Sequence, residues 1–254
     1  MNEDFYIGWD PTPAAPVKRR MKRIALLILL VATVVPILLA TSQRLIGDSF
    51  FEWGHLRSFS GILQLDPYPS LLVSRPGKVT PSSAFSRYHL VAPWKFGLNP
   101  QSLAPLDGKT VSLKGTLIYR DSETMIETKP EWIEELAKPS PEISVPQPIQ
   151  LGRQTLVGEI VDSKCFLGVM NPGQLSPHRA CAVRCISGGV PPVLLVRQRA
   201  GPPIYLLLVS SKGTPVNDRI LDLVAEPVEI TGEVERRGET LILRADPEHY
   251  RRQH

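Results

Sequence analysis

Proline stands at 25 of the 254 positions, from Pro11 near the start to Pro247 near the end. It breaks helix interiors and central strands alike, so a chain punctuated this often cannot fold as a helical bundle. Short β-rich runs between turns are what remain. The one exception is residues 24–41, IALLILLVATVVPILLAT, which carry no charge over 18 positions. That length is close to the minimum for spanning a hydrocarbon core about 30 Å thick. Pro36 inside it is tolerable in lipid, where neighbouring groups compensate for the lost hydrogen bond.

The charges around this run orient it. Lys18, Arg19, Arg20, Lys22 and Arg23 precede it, whereas Arg44, Asp48 and Glu52 follow it with mixed sign. Cationic flanks stay in the cytoplasm. The sequence therefore predicts a cytoplasmic tail over 1–23, a transmembrane anchor over 24–41 and an exterior C-terminal part. A cleaved signal peptide is the alternative; the long apolar run and the lack of an A-x-A site after it favour an uncleaved, single-pass anchor. Net charge is +4, and residues 1–23 hold five Lys/Arg against three Asp/Glu, which leaves +2 for the rest. With no Lys/Arg run beyond the anchor flank, nucleic acid is not expected as a partner.

Residues 138–150, KPSPEISVPQPIQ, hold four prolines and almost no apolar periodicity, the pattern of a stiff linker. It separates a first domain, 49–137, from a second, 151–250. The two resemble each other. VSLKGTLIYRDSETMIE (Val111–Glu127) and VEITGEVERRGETLILRA (Val228–Ala245) both read as strand, glycine, strand, polar turn, strand, with Gly115 and Gly232 in matching places. Each half also opens on a similar strand, SFSGILQL with Gly61 and TLVGEIVD with Gly158. Between these the second half places PPVLLVRQ, PIYLLLVSS and a short helix, VNDRILDLV. Strand, strand, strand, helix, strand, strand is the order of an OB-type Greek-key barrel. The expected fold is mainly β: an N-terminal transmembrane helix, then two tandem OB-like barrels. Two unrelated small sandwiches are the alternative that strand counts alone leave open.

All three cysteines fall in DSKCFLGVMNPGQLSPHRACAVRC, residues 162–185, between the first two strands of the second barrel. Ser176 as N-cap, Pro177 in the first turn and Gly188-Gly189 as stop predict a short helix. His178, Cys181 and Cys185 lie on it at i, i+3 and i+7, along one stripe. Cys165 arrives from the preceding strand, and Asn171–Gly173 turns the chain back.

Four readings compete here. A disulfide from Cys165 to Cys181 or Cys185 suits an oxidising compartment but leaves an odd thiol. A Cys181–Cys185 bridge within one helix turn rarely meets the required dihedral. A metal site on Cys165, Cys181, Cys185 and His178 suits Zn²⁺, or Cu(I) with help from Met170. The Cα atoms of His178 and Cys185 should stand about 10 Å apart at ~1.5 Å rise per residue, so His178 is the weakest ligand of the set. Thiol chemistry is the third reading, with His178 one turn from Cys181 lowering that thiol's pKa. Simple packing of small buried cysteines is the fourth. The metal reading leads.

The run GEIVDSKCFLGVMNPG…PHRACAVRCISGG resembles a pattern, D-x-x-C…H-x-x-C-A-x-x-C-x-x-G-G, met in small exported or membrane-anchored bacterial proteins. The opening DFYIGWDPTPAAP and the later GTLIYRDSETMIE fit the same group. The likeness implies a bacterial inner-membrane home and a shared site, but no reaction; with the cationic flank held in the cytoplasm, the C-terminal domains are expected in the periplasm. His55 and His89 make poor catalytic pairs, and no G-x-S-x-G, H-E-x-x-H or phosphate loop occurs. The expected role is an accessory or binding protein with an inner-membrane or periplasmic protein partner; the rivals are a thiol-redox protein and a structural module with one disulfide. DFYIGW, three aromatics in six residues, reads either as a docking or membrane-interface segment or as a disordered tail.

Overall fold

The computed structural model describes residues 13–42, 49–75, 84–137, 147–199 and 201–253. The chain divides into two compact units, Met1–Gly47 and Asp48–His254. In the first, helix α1 runs Ala15–Ser42 over 28 residues, with a mean hydropathy of 2.8 in its most apolar window and no buried residue. It is long and apolar enough to cross a membrane. It begins nine residues before Ile24, so the cationic flank is helical too. Thr33 and Thr41 donate their hydroxyls to the carbonyls of Leu29 and Ile37, which removes free polar groups from the apolar run. DFYIGW lies outside the described residues.

The second unit holds two closed barrels. Strands β1 (Ser49–Phe51), β2 (Arg57–Gln64), β3 (Ser70–Ser74), β4 (Phe85–Val91), β5 (Thr110–Arg120) and β6 (Glu123–Glu135) form the first sheet, with helix α2 (Pro100–Leu103) between β4 and β5. The sheet order is β1-β5-β2-β3-β4-β6, and β5 also pairs with β6, so five strands close while β1 extends the edge. Strands β7 (Ile149–Asp162), β8 (Pro192–Val196), β9 (Ile204–Val209), β10 (Pro227–Arg237), β11 (Thr240–Arg244) and β12 (Arg251–Arg252) make the second, in the order β11-β9-β8-β7-β10-β12 with β10 also on β11. Each barrel closes through one parallel pair, β4 with β6 and β9 with β11. Two OB-like barrels are thus present, on the strand order alone.

The matched glycines explain the closure. A Cβ on Gly61 would lie 2.2 Å from the Leu72 carbonyl oxygen, and one on Gly158 would lie 2.6 Å from that of Leu195. Gly115 and Gly232 meet the last strand of their barrels equally closely, at 2.3 Å from Ile126 Cγ2 and 2.4 Å from the Arg244 oxygen. Strands coil this tightly only where no side chain stands between backbones. The hairpins that follow turn at Asp121 and Gly238, both with positive φ, as two-residue turns require.

Two details differ from the sequence reading. VNDRILDLV forms two 3₁₀ turns, Asn217–Arg219 and Leu221–Leu223, in place of one helix. Of the expected linker 138–150, residues 138–146 lie outside the described residues, and Ile149 and Gln150 already belong to β7.

Each barrel has its own core, around Leu63, Leu90 and Ile126 in the first and Ile160, Leu208 and Val228 in the second. A third apolar cluster takes residues from both. Tyr68, Val91, Ile118 and Met125 pack with Val161, Phe166, Val193, Leu207 and Ile242, all buried. Cys165 and Cys185 belong to it. The first barrel's strands end at Glu135 and the second's begin at Ile149, yet the barrels share a core.

Candidate metal centre

The cysteine stretch leaves β7 at Asp162. Asp162 Oδ1 accepts the N–H of Cys165 at 2.7 Å, the bond an N-capping residue makes three positions on. Cys165 opens the single π turn Cys165–Val169, in which Cys165, Phe166 and Leu167 are buried. The Asn171–Gly173 turn then presses on it: a Cβ on Gly173 would come 2.5 Å from the Cys165 carbonyl oxygen. A 3₁₀ turn, Ser176–His178, leads into α3 (Arg179–Ser187). Ser176 makes no side-chain cap here; the turn is entered from Leu175 at φ +66. The expected stop holds, because Gly188 N–H reaches the carbonyls of Arg184 and Cys185 and Gly189 takes φ +94.

The structure brings three thiols and an imidazole together. Cys165 Sγ lies 3.9 Å from Cys181 Sγ and 3.8 Å from Cys185 Sγ, and all three are free thiols. The ligand atoms form two triads that share Cys165. One is Cys165, His178 and Cys181; the other is Asp162, Cys165 and Cys185; within each, every pair of atoms is within 4.8 Å. His178 and Cys185 fall in different triads, in keeping with their spacing along the helix. Met170 is 44% exposed, unlike the buried or half-buried ligand atoms.

Asp162 was not singled out by sequence reasoning, and it is fully buried. Its Oδ2 lies 2.9 Å from His178 Nε2. A carboxylate on one imidazole nitrogen fixes the ring and leaves the other nitrogen for a metal or a proton. The D-x-x-C spacing is the signal that could have found it, since one carboxylate both caps the Cys165 turn and holds His178.

Two lysines were also missed. Lys95, from the loop after β4 in the first barrel, sets its Nζ 2.6 Å from Cys181 Sγ. That contact raises the pKa of Lys95. Lys164 is 1% exposed and spends its ammonium on the carbonyls of Ala92 and Trp94 and on Glu127 Oε2, at 2.7, 2.6 and 2.6 Å. The loop itself is locked to α3 by Gly97 N–H on the Gly188 carbonyl, 2.9 Å. Within the thiol group, the hydrogen bond to Cys185, reinforced by burial, pushes the Cys165 thiol up, and the same bond draws Cys185 down. Of that pair, Cys165 holds its proton longer; Cys181, half-buried beside Lys95, is the accessible thiol.

No family model matches this chain, and neither does any curated protein. Among solved structures, a deletion mutant of the single-stranded DNA-binding protein from Thermus aquaticus is similar over 82% of this chain and 89% of that one, at 14% identity and a TM-score of 0.21. So slight a likeness adds nothing to the strand order.

Proposed function

We propose that this is a bacterial inner-membrane protein whose double barrel lies in the periplasm and holds a metal ion, Zn²⁺ or Cu(I), on Cys165, Cys181, Cys185 and His178, in support of a membrane-bound assembly. The carrying observation is the sulfur spacing. Two thiolates about 2.3 Å from one tetrahedral zinc stand about 3.8 Å apart, and the Cys165 sulfur has two partners at 3.8 and 3.9 Å. Asp162 on His178 supplies the outer carboxylate that metal-ligating histidines favour. The cationic flank of α1 supports the orientation, and the near-neutral exterior supports a protein partner over nucleic acid.

The full chain, purified in detergent without added metal, should carry one equivalent of metal, and Cys165→Ser should lose it. Three thiols should titrate after chelation and denaturation. One free thiol in fresh, unreduced protein refutes the metal reading. A second reading has its own support: Lys95 beside half-exposed Cys181, with Cys165 Sγ 3.9 Å behind it, is the arrangement of an attacking and a resolving thiol. Turnover of a dithiol substrate by metal-free protein would favour it. A phosphatase reporter fused after His254 should be active; an inactive one overturns the location.

A further inference from the structure

We propose that a groove on the first barrel, beside the cysteine cluster but distinct from it, binds a planar apolar anion such as an aromatic carboxylate. The groove encloses about 550 Å³ between β1, the loop after β4, and β6, lined by Trp53, Leu56, Trp94, Lys129, Trp132 and Lys164 among others. That volume suits a small organic ligand. Trp53 and Trp94 are 71% and 80% exposed, an unusual degree of solvation for indoles standing over the same hollow. Flat indole faces gain from stacking on a flat partner.

The polar groups define the rest of the ligand. Lys164 and Glu127 neutralise each other, and the remaining ammonium protons of Lys164 go to backbone carbonyls. Lys129 lies 4.8 Å over the Trp132 ring and has no carboxylate partner among the described residues. The groove therefore offers aromatic walls and one uncompensated cation. A sugar would find too few free hydrogen-bonding groups; an apolar body with a single negative charge finds each of its needs met. The proposal does not depend on a metal at the cysteines, because no ligand atom of either triad lines the groove.

Three of the four tryptophans line the groove, so intrinsic fluorescence reports directly on occupancy. With the full chain in zwitterionic lipid nanodiscs, naphthalene-2-carboxylate should quench saturably at one site. Naphthalene-2-carboxamide, the same ring without the charge, should bind about tenfold or more weaker, the factor expected when a charge-assisted contact is absent. Lys129→Gln should weaken the carboxylate by a similar factor and leave the carboxamide unchanged. Trp53→Ala should weaken both, and as a largely exposed residue it should not disturb folding. Equal affinity for the two probes in the unaltered protein overturns the proposal, as does non-saturating quenching or indifference to both substitutions. Strong quenching by brominated acyl chains in the nanodisc, lost in Trp53→Ala, overturns it in favour of docking on the bilayer.

Discussion

Glu123 and His89 line one small cavity between the barrels, about 30 Å³, together with Ser163 and Tyr205. Burial, with repulsion from Glu239 and Asp121, raises the Glu123 carboxyl from 4.5 to about 7. Burial, then the Arg87 guanidinium, lowers the His89 imidazole from 6.5 to about 3. Between pH 4.5 and 7 the folded state holds a proton on Glu123 that the unfolded chain has lost, so this group makes stability fall as pH rises. The displacement corresponds to at most about 3 kcal/mol, present in full above pH 7 and absent below 4.5. His89 acts oppositely: between pH 6.5 and 3 the unfolded chain binds the proton first, so stability falls as pH falls. Their slopes cancel from about 4.5 to 6.5 and leave a plateau there. Glu123→Gln removes one arm. At pH 8 the variant should melt higher than the unaltered protein by up to about 6–12 °C, at ~2–4 °C per kcal/mol for a chain of this size. At pH 4 the two should coincide. Tryptophan-fluorescence melts of both proteins across pH 4–8 measure the difference, in which titration of the thiols and other groups drops out. A difference that is flat with pH refutes the burial argument; one that grows toward low pH reverses its sign.

Phe166→Ala should destabilise by about 3–5 kcal/mol in urea titrations, because the ring is 1% exposed, lies under Arg120 and meets Tyr205 edge-on. Gly61→Ala should cost more than Gly54→Ala: the first Cβ meets a carbonyl at 2.2 Å, the second meets nothing and carries only the penalty of φ +82, about 1 kcal/mol. Asn217→Ala removes the bonds to the Ile186 and Val190 carbonyls and the Tyr68 hydroxyl, and should lower stability by about 2–3 kcal/mol while leaving secondary structure by circular dichroism unchanged. Protease cleavage between 138 and 150 should give fragments that stay together on gel filtration, held by the shared cluster; fragments that separate would refute that cluster's importance.

What the sequence carried was local and repeated. The paired glycines, the polar two-residue turns and the strand order are each set by a few adjacent residues, and all of them recur in both halves, which is why two barrels could be read. The Asn171–Gly173 turn and the Gly188-Gly189 stop were equally visible, and with them the convergence of Cys165, Cys181 and His178, whereas the cap that Asp162 makes on Cys165 went unread. What lay hidden was long-range. Lys95 reaches Cys181 across 86 residues from a loop without periodicity, and its neighbour Trp94 holds a φ of +64 that nothing in the sequence announces. One signal for the shared core did exist. β8 and β9 are apolar almost throughout, PVLLV and IYLLLV, and buried along most of their length. A free barrel would alternate; continuous burial means that the outer face is covered as well.

That covered face gives the inserted stretch a second task. Phe166 and Leu167 follow Cys165 directly into the cluster shared by the barrels, and Cys185 enters it from α3. On the same stretch Lys164 grips the carbonyls of Ala92 and Trp94, while Gly188 accepts from Gly97. The residues that gather the thiols are thus interleaved with those that join the two barrels. Any change that moves Cys165, whether ligation or oxidation, must be accommodated by a close-packed interface, which resists displacement on every side. The cluster is held by the whole exterior unit, and a fragment carrying the second barrel alone would lack Lys95, the acceptors of Lys164 and the apolar contacts of Tyr68, Val91, Ile118 and Met125 in the cluster that holds Cys165.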